Sequence, residues 1–188
     1  DVSDMVRAAQ VLEQVGNKAP RALARALNHS GGKARTQVVR AVSRNVGIPS
    51  RMVSAQIRTK RANARDLEFE LKARGAPMPL KLFDPIMTRE GVWTKLWGGT
   101  MFRSAFMVRR AGSDVFALGG HVFQRRDSRR LPIDRVPGPS VPEQMVSVNA
   151  VTALNNELRV SFPARLQHEI DYLLKQEDAA TPRTRIVK

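Results

Sequence analysis

The sequence predicts an α+β protein with helices at its N-terminal end, a small central antiparallel β-sheet and helices at its C-terminal end. Apolar residues recur at helical spacing before about residue 56 and again after residue 145, whereas apolar and polar residues alternate only between these regions. Aromatic residues make up only 5% of the 188 residues, so we expect a mainly aliphatic core. A chain of this length suits one domain, which we place at residues 1–176.

The helical N-terminal region, residues 1–56, begins with a predicted helix over residues 3–14. Gly16 and Asn17 are expected to end it. Pro20 suits the first turn of a second helix, which extends to about Val46. Because each glycine costs about 1 kcal/mol in a helix interior, we expect Gly31-Gly32 to kink or break this helix.

A short third helix is expected over residues 51–56, with Ser50 as its N-cap. Residues 57–135 then form the β-rich region. Leu67, Phe69 and Leu71 alternate with charged residues, which is typical of a half-buried strand. Three further strands are predicted around Leu80–Leu82, Val92–Trp97 and Val115–Phe123, the last with a bulge at Gly119-Gly120.

Residues 136–144 form a proline-rich connector. Each proline fixes φ near about −65° and removes a backbone donor, so Pro137, Pro139 and Pro142 predict an extended, preformed segment suited to docking. Helices follow over residues 145–176, and Pro163 is expected in the first turn of the last one. The polar residues 177–188 are predicted to be a C-terminal arm.

The net charge of +15 is unevenly distributed. Residues 1–135 hold 26 Lys and Arg against 11 Asp and Glu, whereas residues 136–188 hold 6 of each. A basic N-terminal part predicts an acidic neighbour, either nucleic acid or an acidic protein face. The absence of cysteine excludes disulfides and thiolate zinc sites and fits a reducing cytoplasm.

The sequence gives little support to catalysis or cofactor binding. Gly31-Gly32-Lys33 has part of a phosphate-loop pattern, but Leu27 and Ala34 stand where that pattern requires Gly and Ser or Thr. The three histidines, His29, His121 and His168, are far apart in the sequence and lack metal-ligand spacing. We therefore expect no enzyme activity, no cofactor and no metal site.

Nucleic-acid binding is the alternative function, because eleven basic side chains could contact phosphates. They are Arg58, Lys60, Arg61, Arg65, Arg103, Arg109, Arg110, Arg125, Arg126, Arg129 and Arg130. Few aromatic residues lie between them to stack on bases, and the chain has no recognised nucleic-acid-binding motif. Charge alone therefore leaves open whether the partner is DNA or protein.

The segment Leu131-Pro-Ile-Asp-Arg-Val-Pro-Gly-Pro-Ser-Val-Pro-Glu-Gln-Met145 resembles the hallmark of the minor tail protein Z family of long-tailed bacteriophages. The preceding segments also resemble the family in their order: an N-terminal helix, residues 19–28, and then Gly98-Gly-Thr and Phe102–Phe106 before the basic strand. The resemblance spans most of residues 3–176. It differs at Pro137, where the family often has a bulky residue, and at Gly31-Gly32, where the family helix is commonly rich in Ala.

The resemblance implies a tail completion protein at the head-proximal end of the tail, made in the host cytoplasm and built into the virion. It also implies a homo-oligomeric ring, a hexamer in related neck components, with the tail terminator, tail tube and head-tail connector as partners. Arg125, Arg126, Arg129 and Arg130 would face an acidic protein or, non-specifically, channel DNA. The expected docking interface is Leu131, Pro132, Ile133, Val136, Pro137, Gly138, Pro139, Val141 and Pro142.

Overall fold

The computed structural model describes the backbone of residues 2–180 and the side chains of residues 18–176. The architecture is α+β, as predicted, with a long N-terminal helix, small sheets in the middle and a long C-terminal helix. The helices are α1 (Val2–Val46), α2 (Ser50–Gln56), α3 (Val141–Met145) and α4 (Val148–Ala180). The strands are β1 (Ile57–Lys60), β2 (Glu70–Ala73), β3 (Ile86–Met87), β4 (Gly91–Thr94), β5 (Thr100–Arg103), β6 (Ala105–Met107), β7 (Val122–Arg125) and β8 (Ile133–Arg135).

Contacts divide the chain into two compact units. The helical unit comprises residues 1–37, 59–72 and 153–188, and the β unit comprises residues 38–58 and 73–152. Each unit is therefore assembled from segments that are far apart in the sequence. Small buried residues such as Ala22, Ala26 and Ala34 line α1 in the helical unit, and Phe83 and Leu80 are the largest fully buried side chains of the β unit.

Helix α1 is a single helix, so the predicted end at Gly16 and the predicted break at Gly31-Gly32 are both wrong. Pro20 likewise lies inside α1 and not at the start of a second helix. Gly31 is buried, and a Cβ atom there would overlap the ring of Phe69. Its value for close packing against that ring outweighs its low helix propensity.

Helix α2 confirms the predicted third helix, but the predicted cap is wrong. Pro49 is the N-cap residue, and no side chain caps the helix. The hydroxyl of Ser50 donates instead to the hydroxyl of Ser43, 3.1 Å away.

Helix α4 runs without interruption through Pro163, so the two predicted C-terminal helices are one. The connector is also shorter than predicted, because α3 begins at Val141. The hydroxyl of Ser140 accepts a hydrogen bond from the backbone N–H of Glu143, whose side chain in turn accepts from the N–H of Ser140. The predicted arm is helical up to Ala180, and its remainder, residues 181–188, lies outside the described residues.

The strands form three small sheets and not one central sheet. Strand β1 pairs with β2, while the orders β3-β4-β5 and β6-β7-β8 are antiparallel throughout. The predicted strand around Leu80–Leu82 is a 3-10 turn over Leu80–Phe83, because the two buried side chains, Leu80 and Phe83, are three residues apart.

Only parts of the other predicted strands are extended. The strand predicted at Val92–Trp97 is β4, which ends at Thr94. Most of the one predicted at Val115–Phe123 is irregular, with a 3-10 turn over Leu118–Gly120 where a bulge was expected. Gly119 and Gly120 both have positive φ, which interrupts a strand.

Candidate docking surface

The proline-rich segment is fixed to its own β unit by backbone hydrogen bonds. Pro137 forms an isolated antiparallel bridge with Pro79. The N–H of Gly138 donates to the carbonyl oxygen of Met78 at 2.9 Å, and the N–H of Met78 donates to the carbonyl oxygen of Pro139 at 3.0 Å. A Cβ atom on Gly138 would lie 2.5 Å from the Met78 oxygen, so only glycine fits this clamp.

The predicted interface residues divide into an inner and an outer group. Pro139 and Val141 are buried and Gly138 is half-buried in the β unit. The expectation that Val141 contacts a neighbouring subunit therefore does not fit its full burial. The outer group is exposed or half-buried, and we call its members the docking residues: Leu131, Pro132, Ile133, Val136, Pro137 and Pro142.

A basic hairpin, formed by β7, β8 and the turn between them, carries the first three docking residues, Leu131, Pro132 and Ile133. Nη1 of Arg125 donates to the carbonyl oxygens of Arg130 at 2.5 Å and Arg129 at 3.4 Å. The guanidinium of Arg125 also lies 5.1 Å from the centre of the Phe106 ring. Arg125 therefore holds the turn in shape, a role that its charge alone did not predict.

Arg126 is also occupied within the hairpin. Its Nε and Nη2 donate to the two carboxylate oxygens of Asp134 at 3.0 and 2.9 Å. This hydrogen bond lowers the pKa of Asp134 and raises that of Arg126. Within the described residues, the side chains of Arg129 and Arg130 form no ion pair, so of the four arginines predicted to face a partner these two are free to meet an acidic one.

The eleven predicted phosphate contacts are divided between the two units. Lys60, Arg61 and Arg65 belong to the helical unit, and the other eight belong to the β unit. Lys60 binds Asp66 at 2.9 Å and Glu68 at 3.1 Å, and these hydrogen bonds raise its pKa. The internal pairing of Lys60 weakens the prediction of a broad phosphate-binding face.

Two of the three histidines, although far apart in the sequence, line the same pocket in the structure. His29 and His168 line one surface pocket of the helical unit, of about 320 Å³, together with Lys33, Glu157 and other residues. No signal in the sequence could have paired them, because the pairing depends on how α1 and α4 pack within this unit. Among the residues that the structure describes, no group of three or more His, Asp or Glu side chains is placed to hold a metal ion.

The helical unit contains a buried charge cluster that the sequence did not reveal. Glu169 is only 3% exposed and accepts from Nε of Arg25 at 2.6 Å and from Nη2 of Arg165 at 2.5 Å. Burial raises the pKa of Glu169, but the hydrogen bonds and charges of the two arginines outweigh it and leave the pKa lowered. Arg25 also lies 6.0 Å from the centre of the Tyr172 ring.

The fold and these surfaces define an α+β protein whose most distinctive feature is an apolar, proline-stiffened segment beside a basic hairpin. The family model of prophage minor tail protein Z matches residues 4–177, and the chain therefore belongs to that family of bacteriophage tail proteins. Neither the curated proteins nor the solved structures contain a significant match to the chain. No helix within the described residues is long and apolar enough to cross a membrane.

Proposed function

We propose that this chain is a structural virion protein that completes the tail at its head-proximal end and joins it to the capsid neck. Family membership supports a tail protein. The observation that carries the finer role is that the proline-rich segment is already ordered in the unbound chain. Backbone hydrogen bonds between Met78 and Pro139 fix it to the β unit, while Leu131 and Pro137 stay exposed. A segment that is already ordered loses little entropy on docking, which favours a permanent joint.

The proposed partners are further copies of this chain in a ring, taken to be a hexamer, and the tail terminator, tail tube and head-tail connector proteins. A ring needs a heterologous interface in which two different surfaces of the same chain meet. The docking residues are apolar and offer one such surface. We further propose that the role is structural and not catalytic, and that it requires no cofactor.

DNA contact in the channel is the second candidate. It is supported by Arg129 and Arg130, which the hairpin presents without internal ion pairs among the described residues. Two free cations would give weak binding that falls steeply with salt and does not depend on sequence. An Arg129→Ala, Arg130→Ala variant should lower the slope of log affinity against log salt by about 2.

The joining role is tested with a Leu131→Asp, Pro137→Asp variant in phage-producing cells. We expect unjoined heads and tails by electron microscopy, because charge on an apolar docking surface opposes burial. Val115→Asp is the matched control, since Val115 is exposed in the same unit but lies outside the docking residues. Normal joining and an unchanged ring mass with the double variant would show that these residues do not form the joint.

A further inference from the structure

An apolar row crosses the outer face of the β3-β4-β5 sheet. The strand register pairs Ile86 with Trp93 and Trp93 with Met101, so the three side chains lie side by side on one face. Ile86 is 56% exposed, Met101 is 37% exposed and Trp93 is half-buried. On the opposite face Val92 and Thr94 are fully buried, so the apolar row is not part of the core.

The loop between β4 and β5 carries the second tryptophan of the chain in a strained backbone conformation. Trp97 is 52% exposed and has φ 52° and ψ 34°, in the left-handed region that bulky residues rarely adopt. The Trp93 ring lies against Gly99 of the same loop, and Lys95 is held by Asp84 at 2.8 Å. An ordered loop thus exposes an aromatic ring in a strained conformation, without the benefit of burying it.

We propose that this surface, called here the tryptophan face, binds an acidic segment of another protein through an apolar side chain of that segment. We define the tryptophan face as the row Ile86, Trp93 and Met101 together with Trp97 of the adjoining loop, which reaches the Trp93 ring through Gly99. It includes both tryptophans of the chain. Trp, Met and Arg are enriched at the centres of protein interfaces. The proposal concerns a surface separate from the docking residues and does not depend on where in the virion the chain lies.

Charge supports an acidic occupant. Arg103 follows Met101 on the same face by strand alternation, whereas the exposed Arg89 in the turn between β3 and β4 is offset by its exposed neighbour Glu90. The β unit as a whole holds 16 Lys and Arg against 6 Asp and Glu. A second copy would bring the same excess of positive charge to the contact, which disfavours self-association through this face.

Size and chemistry favour a protein segment over the other occupants. Four such side chains offer on the order of 300 Å², well below the roughly 800 Å² per partner of a standard interface. The face therefore suits one inserted segment better than a second folded subunit. Duplex DNA presents phosphates, and the aliphatic side chains of Ile86 and Met101 have no favourable contact with them.

The first arm of the test separates strain from function with two glycine substitutions. Leu118 is the matched control, because it is also exposed in the β unit and also has positive φ, 53°. Trp97→Gly and Leu118→Gly should each raise Tm by about 3 °C, since glycine relieves the left-handed strain. Only Trp97→Gly should reduce incorporation of the chain into particles, by about tenfold if it removes roughly 1.4 kcal/mol of binding. Equal incorporation of the two variants, or a lowered Tm for Trp97→Gly, would overturn the proposal.

The second arm identifies the occupant by placing the photo-crosslinker p-benzoylphenylalanine at position 97 or, as control, at position 118 of the full chain in phage-producing cells. We expect position 97 alone to yield a crosslinked peptide from another protein, with Asp or Glu beside the modified residue. Crosslinks to DNA, to a second copy or to a basic segment would refute the proposal that the tryptophan face binds an acidic segment. Equal yields at both positions would refute it as well. A crosslink to an acidic protein outside the tail neck would support the tryptophan face and contradict the proposed joining role.

Discussion

The two units of this protein are stabilised in different ways. In the helical unit a buried carboxylate, Glu169, is held between Arg25 and Arg165, and a glycine of α1 allows close contact with Phe69. In the β unit a backbone clamp between Met78 and Pro139 closes over buried Phe83 and Leu80. The helical unit therefore depends on charge and should respond to pH, whereas the β unit depends on shape.

The two units also differ in net charge. Both hold 16 Lys and Arg, but the helical unit holds 11 Asp and Glu against 6 in the β unit. The helical unit uses its acids internally, as Glu169, Asp66 and Glu68 do. The β unit keeps more unbalanced positive charge, and the docking residues and the tryptophan face both lie there. Both surfaces that we propose to bind partners therefore belong to the β unit.

The largest expected effect tests the shape-dependent clamp. Gly138→Ala places a Cβ atom 2.5 Å from the Met78 carbonyl oxygen and 3.3 Å from the Phe83 ring. Because backbone cannot move aside as a flexible side chain can, we expect unfolding free energy to fall by about 3 kcal/mol. Urea denaturation measures this, with Pro137→Ala as the comparison, which should cost only about 0.4–1 kcal/mol through the greater freedom of the unfolded chain. A loss below 0.5 kcal/mol for Gly138→Ala would mean that the clamp is not tight.

The next effect tests the charge-dependent unit. Glu169→Gln leaves Arg25 and Arg165 without their buried acceptor charge, and we expect a loss of about 2 kcal/mol at pH 7. Asp171→Asn, at an exposed position of the same helix, is the control and should change stability by less than 0.5 kcal/mol. Equal stabilities of the two variants would show that the cluster contributes nothing.

Acid should weaken the same cluster. Since the pKa of Glu169 is lower in the folded chain than in the unfolded chain, its contribution is present above the unfolded value, near 4.5. It is lost as the pH falls through the lower folded value. The stability difference between the wild-type chain and Glu169→Gln, measured by thermal unfolding from pH 7 to pH 3, should therefore shrink below about pH 4.5. A difference that stays constant over this range would contradict the assignment.

The smallest expected change in stability comes from alanine substitutions at two neighbouring glycines of α1. Gly31→Ala introduces a Cβ atom that overlaps the Phe69 ring, and we expect a loss of about 1 kcal/mol after the gain in helix propensity is counted. Gly32 has no atom within 4 Å of that position, so Gly32→Ala should stabilise by about 1 kcal/mol. Denaturant midpoints of the two variants should move in opposite directions. Two shifts of the same sign would mean that Gly31 is not in close contact.

Local chemistry explains which elements could be predicted from the sequence. The α+β class and the antiparallel pairing followed from periodicity, which reflects one buried and one exposed face of each element. Helix α2 was predicted from an N-cap at Ser50, and the helix is present although that cap is not. The predicted breaks at Gly16 and Gly31-Gly32, and the predicted helix start at Pro163, were wrong because α1 and α4 continue through these residues. At Gly31 the close packing against Phe69 outweighs the low helix propensity of glycine. A single residue of low propensity is therefore a weak signal within a long helix.

The candidate site was predictable in composition but not in arrangement. The proline-rich segment was identified from its residues, yet the burial of Pro139 and Val141 depends on contacts with Met78, Phe83 and other distant residues. Likewise, Arg125, Arg126, Arg129 and Arg130 look equivalent in the sequence. Only the turn geometry assigns Arg125 to backbone carbonyls and Arg126 to Asp134, and leaves Arg129 and Arg130 exposed.

By itself the sequence determined the fold class, the excess of positive charge, the stiffness of the proline-rich segment and membership of the family, because these depend on residue type and order. Tertiary structure alone decided which cations have no ion pair among the described residues and which prolines are exposed. It also decided which arginines bind the buried Glu169 and how far Trp97 is exposed. These depend on long-range contacts, in which residues far apart in the chain satisfy or block one another, and no local pattern encodes such pairing.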